Sequence, residues 1–144
     1  MINFNDYLDD DEQEAPVDLT QWNQAVIYTS KKGTIYTSKS GLKMLDLVFV
    51  VGSARVYQRI MLPAKMQDIQ LTDGQRKAAN IGARDIKALL NATIGLEINS
   101  FDQLEGETVW IKCKKEEWQG KDQWRVAEFN KGNPAVSKQD DFPF

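Results

Sequence analysis

The sequence of 144 residues contains no histidine, and this absence narrows the chemistry that the chain can perform. Histidine is the commonest general base near neutral pH and the usual partner of Ser and Cys nucleophiles. Cys113 is the single cysteine, which excludes an intrachain disulfide and, without histidine, the usual zinc and iron ligand sets. We therefore expect a protein that is not an enzyme and that uses no cofactor and no metal.

Other common signals are also missing from the sequence. We find no Gly-rich phosphate loop of standard spacing, and no apolar run approaches the ~20 residues of a membrane span. Residues 1–6 lack the basic segment and apolar segment of a signal peptide, which predicts a cytoplasmic location. Asp and Glu are plentiful, so composition leaves a carboxylate metal site open, although no close cluster within the predicted fold suggests one.

Charge is unevenly distributed along the chain. The net charge is −3, from 18 Lys and Arg against 21 Asp and Glu. Residues 1–17 hold six acids, residues 139–144 hold two, and neither segment has a Lys or Arg, which leaves a net charge of +5 on residues 18–138. This segregation favours a nucleic acid or another charged surface as partner, although acidic tails also commonly serve only solubility.

The first part of the basic body is typical of β-structure. Residues 27–33 (IYTSKKG) recur as residues 35–41 (IYTSKSG), which predicts two short strands, or a strand and a basic loop, with turns at the glycines. Both faces of residues 42–51 are largely apolar, so we predict a central strand there. Residues 55–62 alternate, with Arg and Tyr side chains on the face away from the core.

One helix and a hairpin are predicted next. Thr72 and Gln75 have capping-box spacing, and Gly95 is suited to the end of the helix. Residues 108–115 alternate, which puts Cys113 on the core side, and the reversal is expected over residues 116–123 with the turn at Gly120. For residues 124–129 the sequence does not show which side chains face the core, because apolar side chains fall on both sides of a regular strand.

This order of elements predicts a mainly β protein, a five-stranded OB-fold barrel with a helix between the third and fourth strands and disordered acidic tails. A small sheet with one packed helix is the alternative architecture. The predicted organisation is an acidic flexible arm (residues 1–17), the barrel domain (residues 18–130), and a linker with an acidic tip (residues 131–144).

Two predicted strands interleave basic and aromatic side chains on their outward faces. Single-stranded nucleic acid requires this combination, because cations contact its backbone and flat rings stack on its bases. The same surface could belong to a protein–protein adaptor whose basic face meets an acidic protein. The candidate nucleic-acid-binding residues are Tyr28, Lys31, Lys32, Tyr36, Lys39, Arg55, Tyr57, Arg59, Trp110, Lys112, Lys114 and Trp118.

The sequence finishes with an acidic and aromatic tip, formed by Asp140, Asp141, Phe142, Pro143 and Phe144. Pro143 stiffens the backbone and disfavours a helix. We predict a docking peptide, in which the acids face a basic pocket of a partner and Phe144 enters an apolar one.

This tip resembles the acidic C-terminal tip of bacterial and phage single-stranded DNA-binding proteins, which commonly end in acids, an apolar residue, Pro and Phe. Residues 24–130 resemble a phage family of small OB-fold single-stranded DNA-binding proteins, with a Lys-rich loop, an apolar strand, a basic strand, a long helix and the Trp-Gln-Gly-Lys turn at residues 118–121. The resemblance implies sequence-independent coating of single-stranded DNA in replication, recombination and repair within a bacterial host. It implies that the tip recruits replication and recombination proteins. It leaves open whether the protein is a monomer or a dimer.

Overall fold

The computed structural model describes residues 17–30 and 33–134 of the chain. These residues form a mainly β structure with one α-helix, as predicted. The elements in chain order are β1 (Asn23–Thr29), β2 (Ile35–Thr37), β3 (Lys43–Val51), β4 (Ala54–Met61), α1 (Asp73–Asn91), β5 (Thr108–Trp118) and β6 (Lys121–Asn130), with short 3-10 turns at Ala64–Met66 and Phe101–Leu104.

The six strands of the described residues form one antiparallel sheet. β3 is central, because it pairs with β4 along one edge and with β1 and β2 along the other. β1 also pairs with β5, which pairs with β6. Thr29 lies opposite Leu47 and Ile35 lies opposite Leu45, so β2 continues the line of β1 along β3. If β1 and β2 are counted as one interrupted strand, α1 lies between the third and fourth strands, as predicted.

The sheet does not show the closure that the predicted barrel requires. Among the long strands, β4 and β6 are each paired on one side only, and no backbone ladder joins them within the described part of the chain. A side chain of β4 bonds to the backbone of β6 instead, since Gln58 Oε1 accepts a hydrogen bond from the Val126 N–H at 3.0 Å. Gln58 occupies a core-facing position of β4, where its side chain needs a partner and takes the Val126 amide. The observed architecture is therefore an open six-stranded sheet, and the closed barrel is not confirmed.

The core lies between one face of the sheet and α1. The inward-facing side chains of β3 are buried as predicted, and they pack with residues of every other long strand and of α1. α1 approaches β4 closely at Gly82, where an added Cβ would lie 2.1 Å from the carbonyl oxygen of Met61. The main buried apolar residues are Ala25, Ile27, Leu45, Leu47, Phe49, Val51, Val56, Ile60, Leu62, Ile86, Leu89, Leu90, Leu104, Val109, Ile111 and Val126.

The ends of α1 follow local sequence signals only in part. The predicted capping box is present, because Thr72 Oγ1 accepts from the Gln75 N–H at 3.2 Å and Gln75 Oε1 accepts from the Thr72 N–H at 2.9 Å. The helix ends at Asn91, before the predicted stop, and Gly95 follows with a φ of +90° and donates its N–H to the Leu90 carbonyl at 2.7 Å. No helix in residues 17–30 and 33–134 is both long and apolar enough to cross a membrane.

The β5–β6 hairpin has a tighter turn than the sequence predicts. Only Gln119 and Gly120 lie between the strands, with φ values of 51° and 75°, which matches a two-residue type I′ turn. The strands therefore extend through most of the segment that was expected to form the reversal. Positive φ at both turn residues suits the twist of paired strands, and this favours continuation of the ladder up to the turn.

A β-bulge in β6 resolves the ambiguous facing of its apolar side chains. Cys113 lies opposite Val126, whereas Lys112 lies opposite Glu128, so Ala127 is the extra residue. An extra residue reverses the alternation, and side chains on opposite faces of a regular strand can then reach the same side. Trp124 and Phe129 both pack against the core, and the Phe129 ring lies 5.7 Å from that of Phe49.

Candidate nucleic-acid interface

The face of the sheet opposite the core, called the outer face below, carries the predicted basic and aromatic side chains of β4. Arg55, Tyr57 and Arg59 are exposed, whereas Val56 and Ile60 between and beside them are buried. The alternation predicted for this strand is therefore confirmed. It arises because successive side chains of a strand point to opposite faces and the apolar set is buried against α1 and β3.

Two exposed tyrosines form a row across the outer face. Tyr28 of β1 lies opposite Val48 of β3, which lies opposite Tyr57 of β4. Tyr28 is 44% exposed and Tyr57 is 68% exposed. Neighbouring strands are ~4.8 Å apart, so the two tyrosine backbones are separated by about 10 Å with the half-buried Val48 between them. The row offers two flat rings to an extended ligand.

The two arginines of β4 differ in their surroundings. Arg59 Nε lies 3.5 Å from a carboxylate oxygen of Asp46, and its guanidinium lies 3.8 Å from the ring centroid of Tyr36. One face of the Tyr36 ring is therefore already covered, which makes this ring a poorer stacking platform than Tyr57. Arg55 is exposed and makes no ion pair with the described residues. Its positive charge is the less compensated of the two.

The predicted residues of β5 also lie on the outer face, but at a distance from those of β4. Trp110 is half-buried opposite Gln24 of β1, and Lys112 lies opposite Glu128 of β6. Lys114 Nζ is 3.3 Å from a carboxylate oxygen of Glu116. β1 and β3 lie between β5 and β4 in the order of the sheet, so two strands separate the two basic-aromatic sets on the outer face.

The remaining candidates are Lys39 and several residues that the structure does not describe. Lys39 is exposed in the turn between β2 and β3, and it makes no ion pair within the described part of the chain. Gly33 and Gly41 have φ values of +107° and +90°, which agrees with the predicted turns. The candidates outside the described residues are Lys31, Lys32, the side chain of Trp118, and the tip residues Asp140, Asp141, Phe142, Pro143 and Phe144.

A cleft of about 380 Å³ lies at the seam between β4 and the β5–β6 hairpin, and it is called the seam cleft below. Sequence reasoning missed it, because the cleft depends on how two distant strands approach each other. One signal was available, since Gln58 is a polar residue at a core-facing position between Val56 and Ile60. The cleft is lined by Tyr57, Gln58 and Arg59 of β4 and by Glu116, Gln123, Trp124 and Arg125 of the hairpin.

Charges in the seam cleft are paired with one another. A carboxylate oxygen of Glu116 is 3.5 Å from Arg125 and 3.3 Å from Lys114. Arg125 also lies 3.6 Å from Asp85 of α1. The cleft therefore combines hydrogen-bonding groups with little net charge. Arg55 on the outer face differs, because it is exposed and makes no ion pair with the described residues.

Cys113 is placed in the core, as its position in β5 predicts. The side chain is 4% exposed, and burial raises the pKa of the thiol to about 11, which keeps it protonated at neutral pH.

At the surface, hydrogen bonds from the hydroxyl and N–H of Thr20 lower the pKa of Asp18. Within residues 17–30 and 33–134, no group of three or more Cys, Asp or Glu side chains is arranged to hold a metal ion.

Comparison with known proteins does not assign the chain to a family. No protein-family model matches it. A search of curated proteins likewise finds no match. What the chain does has therefore to be inferred from the outer face and the seam cleft.

Proposed function

We propose that the chain binds single-stranded DNA, largely independently of sequence, through the outer face of the sheet. The observation that carries this proposal is the row of Tyr28, Val48 and Tyr57 across three strands. Exposed rings at this spacing suit the stacking of unpaired bases, and each stacked base contributes about 1–3 kcal/mol by alanine substitution. Stacking is tolerant of sequence because every base has a π-face.

Cations beside this row would contact the phosphates. Arg55 lies two residues from Tyr57 on the same face of β4, about 7 Å along the strand. Lys39 and Lys112 make no ion pair within the described residues, so their charges are also available. The net charge of +5 on residues 18–138 agrees with an anionic ligand.

The order of elements supports a finer assignment of the fold, an OB-type sheet. OB-folds are five-stranded, partly open barrels in which the face of the second and third strands binds oligonucleotides. With β1 and β2 taken as one interrupted strand, the second and third strands of this chain are β3 and β4. These two strands carry Val48, Arg55 and Tyr57, which is where the proposed interface is centred.

The biological role that we propose is the coating of exposed single strands during replication, recombination or repair. The final residues Asp140, Asp141, Phe142, Pro143 and Phe144 would recruit partner proteins through basic and apolar pockets. The mixed acidic and aromatic chemistry of this peptide supports that role.

Titration with an oligo-dT tests the proposal. We expect quenching of tryptophan fluorescence and a mobility shift at low salt, and log K should fall by roughly 0.7 per neutralised phosphate for each unit of log salt. A duplex of equal length serves as the control and should bind more weakly. Absence of binding in both assays at low salt would refute the proposal and favour the protein–protein adaptor. Incubation with Mg²⁺ should leave the oligonucleotide intact, and cleavage would indicate a nuclease instead.

A further inference from the structure

We infer that the seam cleft holds one nucleobase of the bound strand and distinguishes bases by their hydrogen-bonding edges. This inference rests on the proposed single-stranded DNA binding. Tyr57 belongs both to the tyrosine row of the outer face and to the lining of the cleft, so a strand stacked on the row reaches the cleft directly. The cleft volume of about 380 Å³ is within the range of small-ligand sites.

Charge indicates that a base enters the cleft and that the phosphates stay outside it. The Glu116 carboxylate lines the cleft and is held by Arg125 at 3.5 Å, which in turn lies 3.6 Å from Asp85. The other arginine of the lining, Arg59, lies 3.5 Å from Asp46, so each cation of the cleft is already paired with a carboxylate. A phosphate in the cleft would therefore find no unpaired cation and would meet the Glu116 carboxylate at close range, where like charges repel. Arg55, by contrast, makes no ion pair with the described residues and lies outside the cleft lining. The backbone of the strand is therefore directed past Arg55, and a neutral base faces the cleft.

The polar groups of the cleft match particular base edges. The Glu116 carboxylate accepts hydrogen bonds, and it suits an exocyclic amino group such as N4 of cytosine. The Arg125 guanidinium donates to a carbonyl oxygen. Gln123 is exposed and lies opposite Glu116 in the hairpin, so its amide oxygen can accept the second hydrogen of the same amino group. Cytosine and guanine present both an amino group and a carbonyl, whereas thymine lacks the amino group and adenine lacks the carbonyl. The cleft should therefore prefer cytosine to thymine, which is a pyrimidine of similar size.

Affinities for oligo-dC and oligo-dT of equal length test this preference at one low salt concentration. We expect the wild-type chain to bind oligo-dC about fivefold or more tightly, as one well-placed base contact allows. Glu116→Gln should bring the two affinities together, since it removes the carboxylate while its size is kept. Glu116→Gln also frees Lys114 from its ion pair, which can raise the affinity for both oligonucleotides equally. The quantity to compare is therefore the ratio of the affinities for oligo-dC and oligo-dT. Glu117→Gln, an exposed acid one residue away, is the matched control and should keep the wild-type ratio.

A second variant, Gln123→Ala, provides the test if Glu116→Gln does not fold. Gln123 is exposed, so Gln123→Ala should fold normally and should reduce the oligo-dC preference. Equal wild-type affinities for oligo-dC and oligo-dT would overturn the base-reading cleft but leave the proposed DNA binding in place. A wild-type preference that survives both Glu116→Gln and Gln123→Ala would also overturn it. Failure of both oligonucleotides to bind would instead refute the proposed function itself.

Discussion

The side-chain oxygen of Gln58 accepts a hydrogen bond from the backbone N–H of Val126 at 3.0 Å, and the two residues are 68 positions apart. This bond connects β4 and β6, two edge strands of the sheet, at a place where no backbone ladder joins them in the described part of the chain. Gln58 is only 8% exposed, so the bond is shielded from water. Gln58 also lines the seam cleft, together with Tyr57 and Arg59 of the same strand.

Gln58→Leu should destabilise the fold by about 1–3 kcal/mol, because the buried Val126 N–H loses its acceptor. Urea denaturation measures this loss, and hydrogen exchange should show reduced protection of the Val126 amide. Gln24→Leu, in an exposed position of β1, is the control and should change the free energy of unfolding by no more than about 0.5 kcal/mol. Equal stability of the two variants would show that the bond does not hold the seam.

Gly82→Ala should also destabilise the fold, although alanine is the better helix former by about 1 kcal/mol. The added methyl group would lie 2.1 Å from the Met61 carbonyl oxygen, so α1 must move away from β4, and such overpacking typically costs about 1–3 kcal/mol. Gly74→Ala is the matched control, because a Cβ there meets no atom within 4 Å. Thermal unfolding should show opposite shifts for the two variants, and a stabilised Gly82→Ala would contradict the observed packing.

Tyr57→Ala and Arg55→Ala should affect single-stranded DNA binding in different ways. Loss of the Tyr57 ring should weaken binding by about 1–3 kcal/mol and leave the salt dependence unchanged. Loss of the Arg55 charge should lower the magnitude of the salt slope by about 0.7, because one phosphate is no longer neutralised. Lys77→Ala, in an exposed position of α1, is the control for charge and should have little effect on the slope. Equal slopes for Arg55→Ala and the wild type would remove Arg55 from the interface.

Stability should decline at alkaline pH because of Cys113. Burial raises the pKa of this thiol from its ordinary value of 9.0 to about 11. Below pH 9 the thiol is neutral in both the folded and the unfolded state, so its ionisation does not reduce the free energy of unfolding. Between pH 9 and 11 the thiol ionises in the unfolded chain first, and the folded state loses stability. We expect a loss of about 1 kcal/mol by pH 10, measured by urea denaturation relative to pH 8. Cys113→Ala should lack this component, and parallel pH profiles for the two proteins would contradict the assignment.

Features that depend on neighbouring residues could be predicted from the sequence. The capping box of Thr72 and Gln75 is local, since its two hydrogen bonds join residues three positions apart. The buried face of β3 and the exposed side chains of β4 follow from the alternation of apolar residues, because strand side chains point to opposite faces in turn. The end of α1 was predicted too late, since Gly95 is a local signal for termination but the helix already stops at Asn91.

The sequence by itself determined the kind and order of the main elements, and which side chains of β3 and β4 face the core or the solvent, because periodicity carries this information. Only the tertiary structure decided that the sheet stays open, that Ala127 is a bulge, and that a cleft forms between β4 and the hairpin. These features arise from contacts between residues far apart in the chain, such as Gln58 and Val126. Local patterns do not encode such pairings, because many partners satisfy the same alternation.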